Sequence, residues 1–172
     1  MTSDRKTEAT VFGVHMIKQL AYGFDRLDEV VEVASPASPK IAFYLNALYH
    51  QIAAMFLLDR GGHPTGGFFS RVFIPLRMGD CLDPVYAILN RQINGLTVGE
   101  TIRRFRNKHL VHGELSDGDL DSIYRDADLL DPDQFDRFQA ALHDLRETLP
   151  QVAVSLCEQA GIRPSDVGLH PA

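Results

Sequence analysis

Cysteine is scarce in this chain. Cys81 and Cys157 are the only two among 172 residues, too few and too far apart for a disulfide framework or a zinc-ligand spacing. Long apolar runs are missing as well. None approaches the ~20 residues that cross a bilayer, so no membrane association is expected. The opening stretch MTSDRKTEAT is polar and mixed in charge, unlike a secretory signal, and a reducing cytoplasm is the expected location. Two catalytic signatures are absent. GGHPTGG, Gly61 to Gly67, lacks the Gly-Lys-Ser/Thr ending of a phosphate loop and reads as a flexible connector. No Gly-x-Ser-x-Gly occurs, which removes the nucleophile elbow of a serine hydrolase. Positive charge is in deficit too: 17 basic residues against 23 acidic ones give a formal charge of −6. That argues against broad coating of nucleic acid, which depends on many cation–phosphate contacts.

What is present suits one soluble domain. Apolar content of 45% and charge of 23% are ordinary for a globular protein, and the length suffices to bury a core. Five stretches read as helices. In Val11 to Val33 the residues Val14, Ile17, Ala21, Phe24 and Val31 recur at helical spacing. After SPASPK, Ser38 with Pro39 opens a second helix to about Arg60. Being apolar nearly all round, it is expected to be the central element. FFSRVFIPLRMGDCL reads equally as a short helix or a packed loop. A third helix is expected over Pro84 to Ile93, broken by NGL. Thr97 with Glu100 has capping-box spacing and opens a fourth helix to His112, stopped by Gly113. A fifth runs from about Asp131 to Ala160, with Pro150 expected to kink or divide it. No β-hairpin is read. The expected fold is all-α, an up-and-down bundle of four to five main helices in one domain over residues 1–161, with 162–172 a loose tail.

The basic residues are not evenly spread. RFRNKHLVHGEL, Arg104 to Leu115, follows directly on Arg103, and the ten residues from Arg103 to His112 hold four cations and two histidines. On a helix Val98, Ile102, Phe105, His109 and His112 fall at 4-3-4-3 spacing and share one stripe. Arg106 sits beside that stripe. The plain structural account is a packed helix whose last turn carries cations favoured by the helix dipole, about 0.3–1 kcal/mol each. It leaves two histidines on an apolar stripe beside three arginines unaccounted for. A metal site would use His109 and His112 with further ligands from His15, His50, His143 or a carboxylate. The neighbouring cations oppose a divalent ion, and no Glu-x-x-His occurs. Phosphate chemistry asks less. An imidazole can take a proton from a ribose 2′-hydroxyl or give one to a leaving oxygen. A guanidinium can hold the phosphate and offset charge in the transition state. Arg106 and His112 stand about 120° apart on the helix, so one copy makes a poor clamp and two facing copies a better one.

RNKHLVHG resembles the signature of the HEPN superfamily (higher eukaryotes and prokaryotes nucleotide-binding domains): Arg, four to six residues, then His, often with a polar residue after the Arg. Arg106, Asn107 and His112 match it with five residues between Arg and His. The place of the motif, late in a helix of an all-α protein, agrees, as does the apolar helix at Ile41 to Leu58. The likeness spans about Val11 to Gln159, but only residues 106–112 are specific. It implies a metal-independent, cofactor-free endoribonuclease of the toxin–antitoxin, abortive-infection or CRISPR-linked kind, acting on RNA as a homodimer, with a cognate antitoxin or other protein partner. His112 is then the general acid or base, Arg106 the phosphate-binding stabiliser, and Asn107 a positioning group. Lys108 and Arg103 are assigned to substrate contact, and His109, which has no fixed counterpart in the family, is placed with them or else supports a site residue or packs. Some members of the family have lost catalysis and act as binding or dimerisation modules, which is the alternative here; a metal-binding bundle is the third.

One feature departs from an RNA groove. Residues 113–131, GELSDGDLDSIYRDADLLD, bring seven Asp and Glu against one Arg. Folded over the site, they would mimic RNA or gate it, and neutralising Asp117, Asp119 and Asp121 would then raise RNA affinity. Elsewhere Cys157 reads as a buried structural thiol. Tyr44, Tyr49, Phe56, Phe68, Phe69 and Phe73 read as core, and His15 and His50 as packing histidines.

Overall fold

A computed structural model describes residues 3–34, 38–57, 67–93, 95–111 and 132–169. The described residues form six α-helices: α1 (Ser3–Val33), α2 (Pro39–Ile52), α3 (Phe68–Phe73), α4 (Asp83–Leu89), α5 (Val98–Val111) and α6 (Pro132–Ala160). The described residues are mostly helical, and the helices pack as a bundle around one core. Helix α1 lies along both α2 and α6. Its partner α6 runs antiparallel, because Arg146 binds Asp25 and Asp28 while Leu156 sits beside Gly13. Helices α2 and α5 are also antiparallel, since Leu57 meets Gly99 and Tyr49 meets Phe105.

Helix α1 begins eight residues before the expected Val11, with Asp4 in its first turn where the dipole favours an anion. Val14, Ile17 and Phe24 face the core as expected, joined by Leu20. Val31 does not: it is 52% exposed, near the C-terminal end of α1. His15 and His50 are both exposed, not packed. The inward positions beside them are taken by Val14, Ile17, Leu48, Tyr49 and Ile52.

Ser38 caps α2 through its side chain, with Pro39 at the first turn. The second half of α2 is the buried half. There it widens into a π-helical turn, Ala53–Leu57, and residues 58–60 of the expected helix lie outside the described residues. Such a turn leaves carbonyls without their usual partners, and side chains serve them: Tyr86 Oη donates to the Phe56 carbonyl at 3.4 Å. Ser70 shares a hydrogen bond with the same hydroxyl. Burial pushes the Tyr86 phenol up, with the Ser70 contact pulling the other way.

The segment that reads as helix or loop is both. Helix α3 ends in a turn whose Arg77 adopts φ 57°, and Met78 N–H then bonds the Phe73 carbonyl at 2.9 Å. A 3₁₀ turn, Gly79–Leu82, leads straight into α4. Helix α4 stops at Leu89, four residues short of expectation. The chain then forms a two-stranded antiparallel ribbon, β1 (Gln92–Ile93) and β2 (Leu96–Thr97), with Ile93 opposite Leu96. Asn-Gly breaks helices, as the sequence suggests, but it is also the strongest short hairpin signal, and Gly95 carries φ 79°.

Helix α6 passes Pro150 without interruption. The ring lies on the exposed side, while Leu149, Val152 and Ala153 are buried. The helix ends at Gly161, whose φ of 70° lets Ile162 N–H reach the Cys157 carbonyl at 2.9 Å. Beyond it, Ile162, Val167 and Leu169 pack against the core instead of trailing loosely. Residues 170–172 lie outside the described residues. Cys81 and Cys157 are buried free thiols, and burial raises both above the ordinary thiol value. Of the aromatic residues assigned to the core, Tyr49, Phe56, Phe69 and Phe73 are buried, and Tyr44 and Phe68 are half-buried.

Candidate functional site

Helix α5 carries Arg106 and Asn107 of the motif, and its start is built as the sequence predicts. The Thr97 amide donates to Glu100 Oε2 at 2.8 Å, and the Glu100 amide donates back to Thr97 Oγ1 at 3.1 Å. This reciprocal box satisfies amides that have no partner inside the helix. The Thr97 amide bond holds the Glu100 carboxyl below its usual range, with smaller help from Arg103 and Arg104 and against some desolvation.

The stripe Val98, Ile102 and Phe105 is buried, at 0%, 0% and 4% exposure. Phe105 stacks on Tyr49 of α2 with centroids 5.4 Å apart. Both rings meet Phe138 of α6, at 5.9 and 6.1 Å. Three helices are thereby joined one residue before Arg106. Such ring pairs contribute about 0.5–1.5 kcal/mol each beyond their burial. Arg106 is half-buried and Arg104 exposed.

Position in the sequence groups Arg103 with the substrate contacts. In the fold it is half-buried, and Nη2 donates to the carbonyl of Leu57, at the end of the π-helical turn. With Leu57, Leu89, Asn90, Thr97, Gly99 and Glu100 it lines a cleft of about 140 Å³. Gly99 is what lets α5 approach so closely. A β-carbon there would stand 3.0 Å from Leu57 Cδ2 and 3.3 Å from the Leu89 carbonyl. Nothing in the spacing of residues 53–57 signals a π-helical turn, so this junction is not legible in the sequence.

The remaining site residues divide in two. The backbone of Asn107, Lys108 and His109 lies within α5, but their side chains, His112 and the acidic segment 113–131 lie outside the described residues. Among the described residues no three metal-ligating side chains gather. His15, His50 and His143, the further ligands considered for a metal, are all exposed. No family model, curated protein or solved structure matches the chain.

Proposed function

We propose that this protein is a metal-independent endoribonuclease of HEPN type, an up-and-down helical bundle that cuts RNA at a composite site between two copies. One observation carries the reading. Arg106-Asn107 and His112 match the motif, and Arg106 sits half-buried directly after the buried Val98–Ile102–Phe105 stripe of α5. A guanidinium so placed is held on a rigid element, which suits the fixed positioning of a phosphate.

In the reaction His112 takes the proton of the ribose 2′-hydroxyl, and the 2′-oxygen attacks the adjacent phosphorus. The bond to the 5′-oxygen breaks, and that oxygen leaves with the proton that the His112 imidazolium gives back. The products are a 2′,3′-cyclic phosphate and a free 5′-hydroxyl. Arg106 offsets the charge that grows on the phosphoryl oxygens. Asn107 positions the scissile group, and Lys108 and His109 contact substrate. Two-fold pairing of copies brings one motif against the other and overcomes the angular separation of Arg106 and His112. A role in phage defence or as a toxin with a cognate antitoxin goes with this reading.

The test is RNA cleavage in EDTA by the wild type, Arg106→Ala and His112→Ala, with product ends mapped. Cleavage by the wild type alone, leaving cyclic phosphates, establishes the activity. A wild type that cuts no RNA overturns it in favour of a catalytically silent binding module. Chelator-sensitive cleavage with stoichiometric metal in the purified protein favours the metal-binding bundle.

A further inference from the structure

We propose that Arg103 is a positioning residue, whose bond to the Leu57 carbonyl sets the motif helix α5 at a fixed depth against the π-helical turn of α2. Its effect on catalysis rests on the ribonuclease reading; its effect on α5 does not.

The wide turn at Ala53–Leu57 changes the carbonyl pattern at the buried end of α2, and π-helical turns of this kind recur at functional sites. Two side chains from other helices answer those carbonyls. Tyr86 of α4 takes Phe56, and Arg103 of α5 takes Leu57. The Leu57 carbonyl, on a residue only 5% exposed, costs free energy if left without a donor. Arg103 supplies one from a charged group, which makes a stronger hydrogen bond than a neutral donor.

The same contact is prepared from the α5 side. Gly99 removes the side chain that would hold α5 away from Leu57 and Leu89. The Thr97–Glu100 box fixes where the helix begins, and Glu100 places its carboxylate one turn before Arg103, on the same side. The cap, the glycine and the arginine thus pin the first two turns of α5 to α2 and α4. Phe105 repeats the grip on α2 through Tyr49, two residues beyond Arg103. Arg106 comes one turn after Arg103 on a helix already seated at both points. A guanidinium engaged with a main-chain carbonyl and lining a cleft of about 140 Å³ serves the alignment of Arg106 and not the capture of RNA.

The two roles separate experimentally. Arg103→Met keeps the aliphatic stem and removes the donors, Arg103→Lys restores a single donor, and Gly99→Ala presses α5 off Leu57 without touching Arg103. Hydrogen exchange on the full chain reads α5 against α6 as an internal reference. Positioning predicts faster exchange of α5 amides in Arg103→Met and Gly99→Ala with α6 unchanged, and recovery in Arg103→Lys. In cleavage it predicts a roughly tenfold to hundredfold fall in kcat with KM unchanged, since small misplacements cost that much. Unchanged α5 exchange in Arg103→Met, or a raised KM with kcat intact, overturns the proposal. A wild type that cuts no RNA defeats the ribonuclease reading alone, and the exchange comparison then decides the role of Arg103 by itself.

Discussion

The ring of Phe105 lies over the ring of Tyr49 with 15° between their planes, and both rest against Phe138. Phe105 precedes Arg106 in the chain, so the layer that joins α2, α5 and α6 also sets the guanidinium that the proposed chemistry uses. Phe105→Ala is expected to destabilise the fold by about 3–5 kcal/mol, the usual cost of emptying a buried aromatic site. Phe105→Leu should cost less. Urea unfolding measures both, and a Phe105→Ala loss below about 1 kcal/mol would mean that the layer does not organise the motif helix.

The cap of α5 makes stability depend on pH. Glu100 is held below its ordinary value of 4.5, first by the Thr97 amide. A carboxyl depressed in the folded state contributes fully above its unfolded value, and the contribution fades as pH falls through the folded one. Thr97→Ala is therefore expected to cost about 1 kcal/mol near neutrality. Glu100→Gln should flatten part of the stability loss below about pH 5. Unfolding midpoints of the two variants between neutral and acid pH check the sign.

Gly67 packs against the backbone of the π-helical turn. A β-carbon at this position would fall well inside contact distance of the Met55 carbonyl oxygen and the Phe56 main chain. Neither neighbour is a flexible side-chain end, so the strain has no easy outlet. Gly67→Ala should destabilise by about 3 kcal/mol or more. Gly99→Ala should cost less, because the nearest atom to its β-carbon belongs to the side chain of Leu57. Parallel denaturant titrations would rank the two, and the reverse order would contradict the close seating of Gly67.

Arg77 holds a left-handed conformation, φ 57°, that glycine adopts more readily. Relief of about 1–2 kcal/mol of steric cost is partly offset by the greater chain entropy that glycine loses on folding. Arg77→Gly is expected to raise stability by about 0.5 kcal/mol. A fall in the thermal midpoint would show that the arginine side chain contributes more than its backbone costs.

Much of the fold is legible in the sequence because it depends on neighbours in the chain. The Ser38–Pro39 start of α2, the Thr97–Glu100 box and the Val98–Ile102–Phe105 stripe are local patterns, and each is present. The hairpin at residues 92–97 is equally local yet escapes a reading by helix breakers, because Asn-Gly ends helices as readily as it turns strands. Val31, His15 and His50 depart from expectation for another reason. Periodicity says which residues share a face, but only the neighbouring helices decide which face turns inward and how far along it is covered.

The motif follows the same division. Sequence alone marks α5 as the chemically loaded helix, since charge clustering and Arg–His spacing need no third dimension. Tertiary structure decides what Arg103 does, because its partner is a main-chain carbonyl 46 residues away. That carbonyl stands at the end of the π-helical turn that follows α2. Side-chain identity can announce a guanidinium, but the group that accepts its hydrogen bond is set by how two distant helices meet.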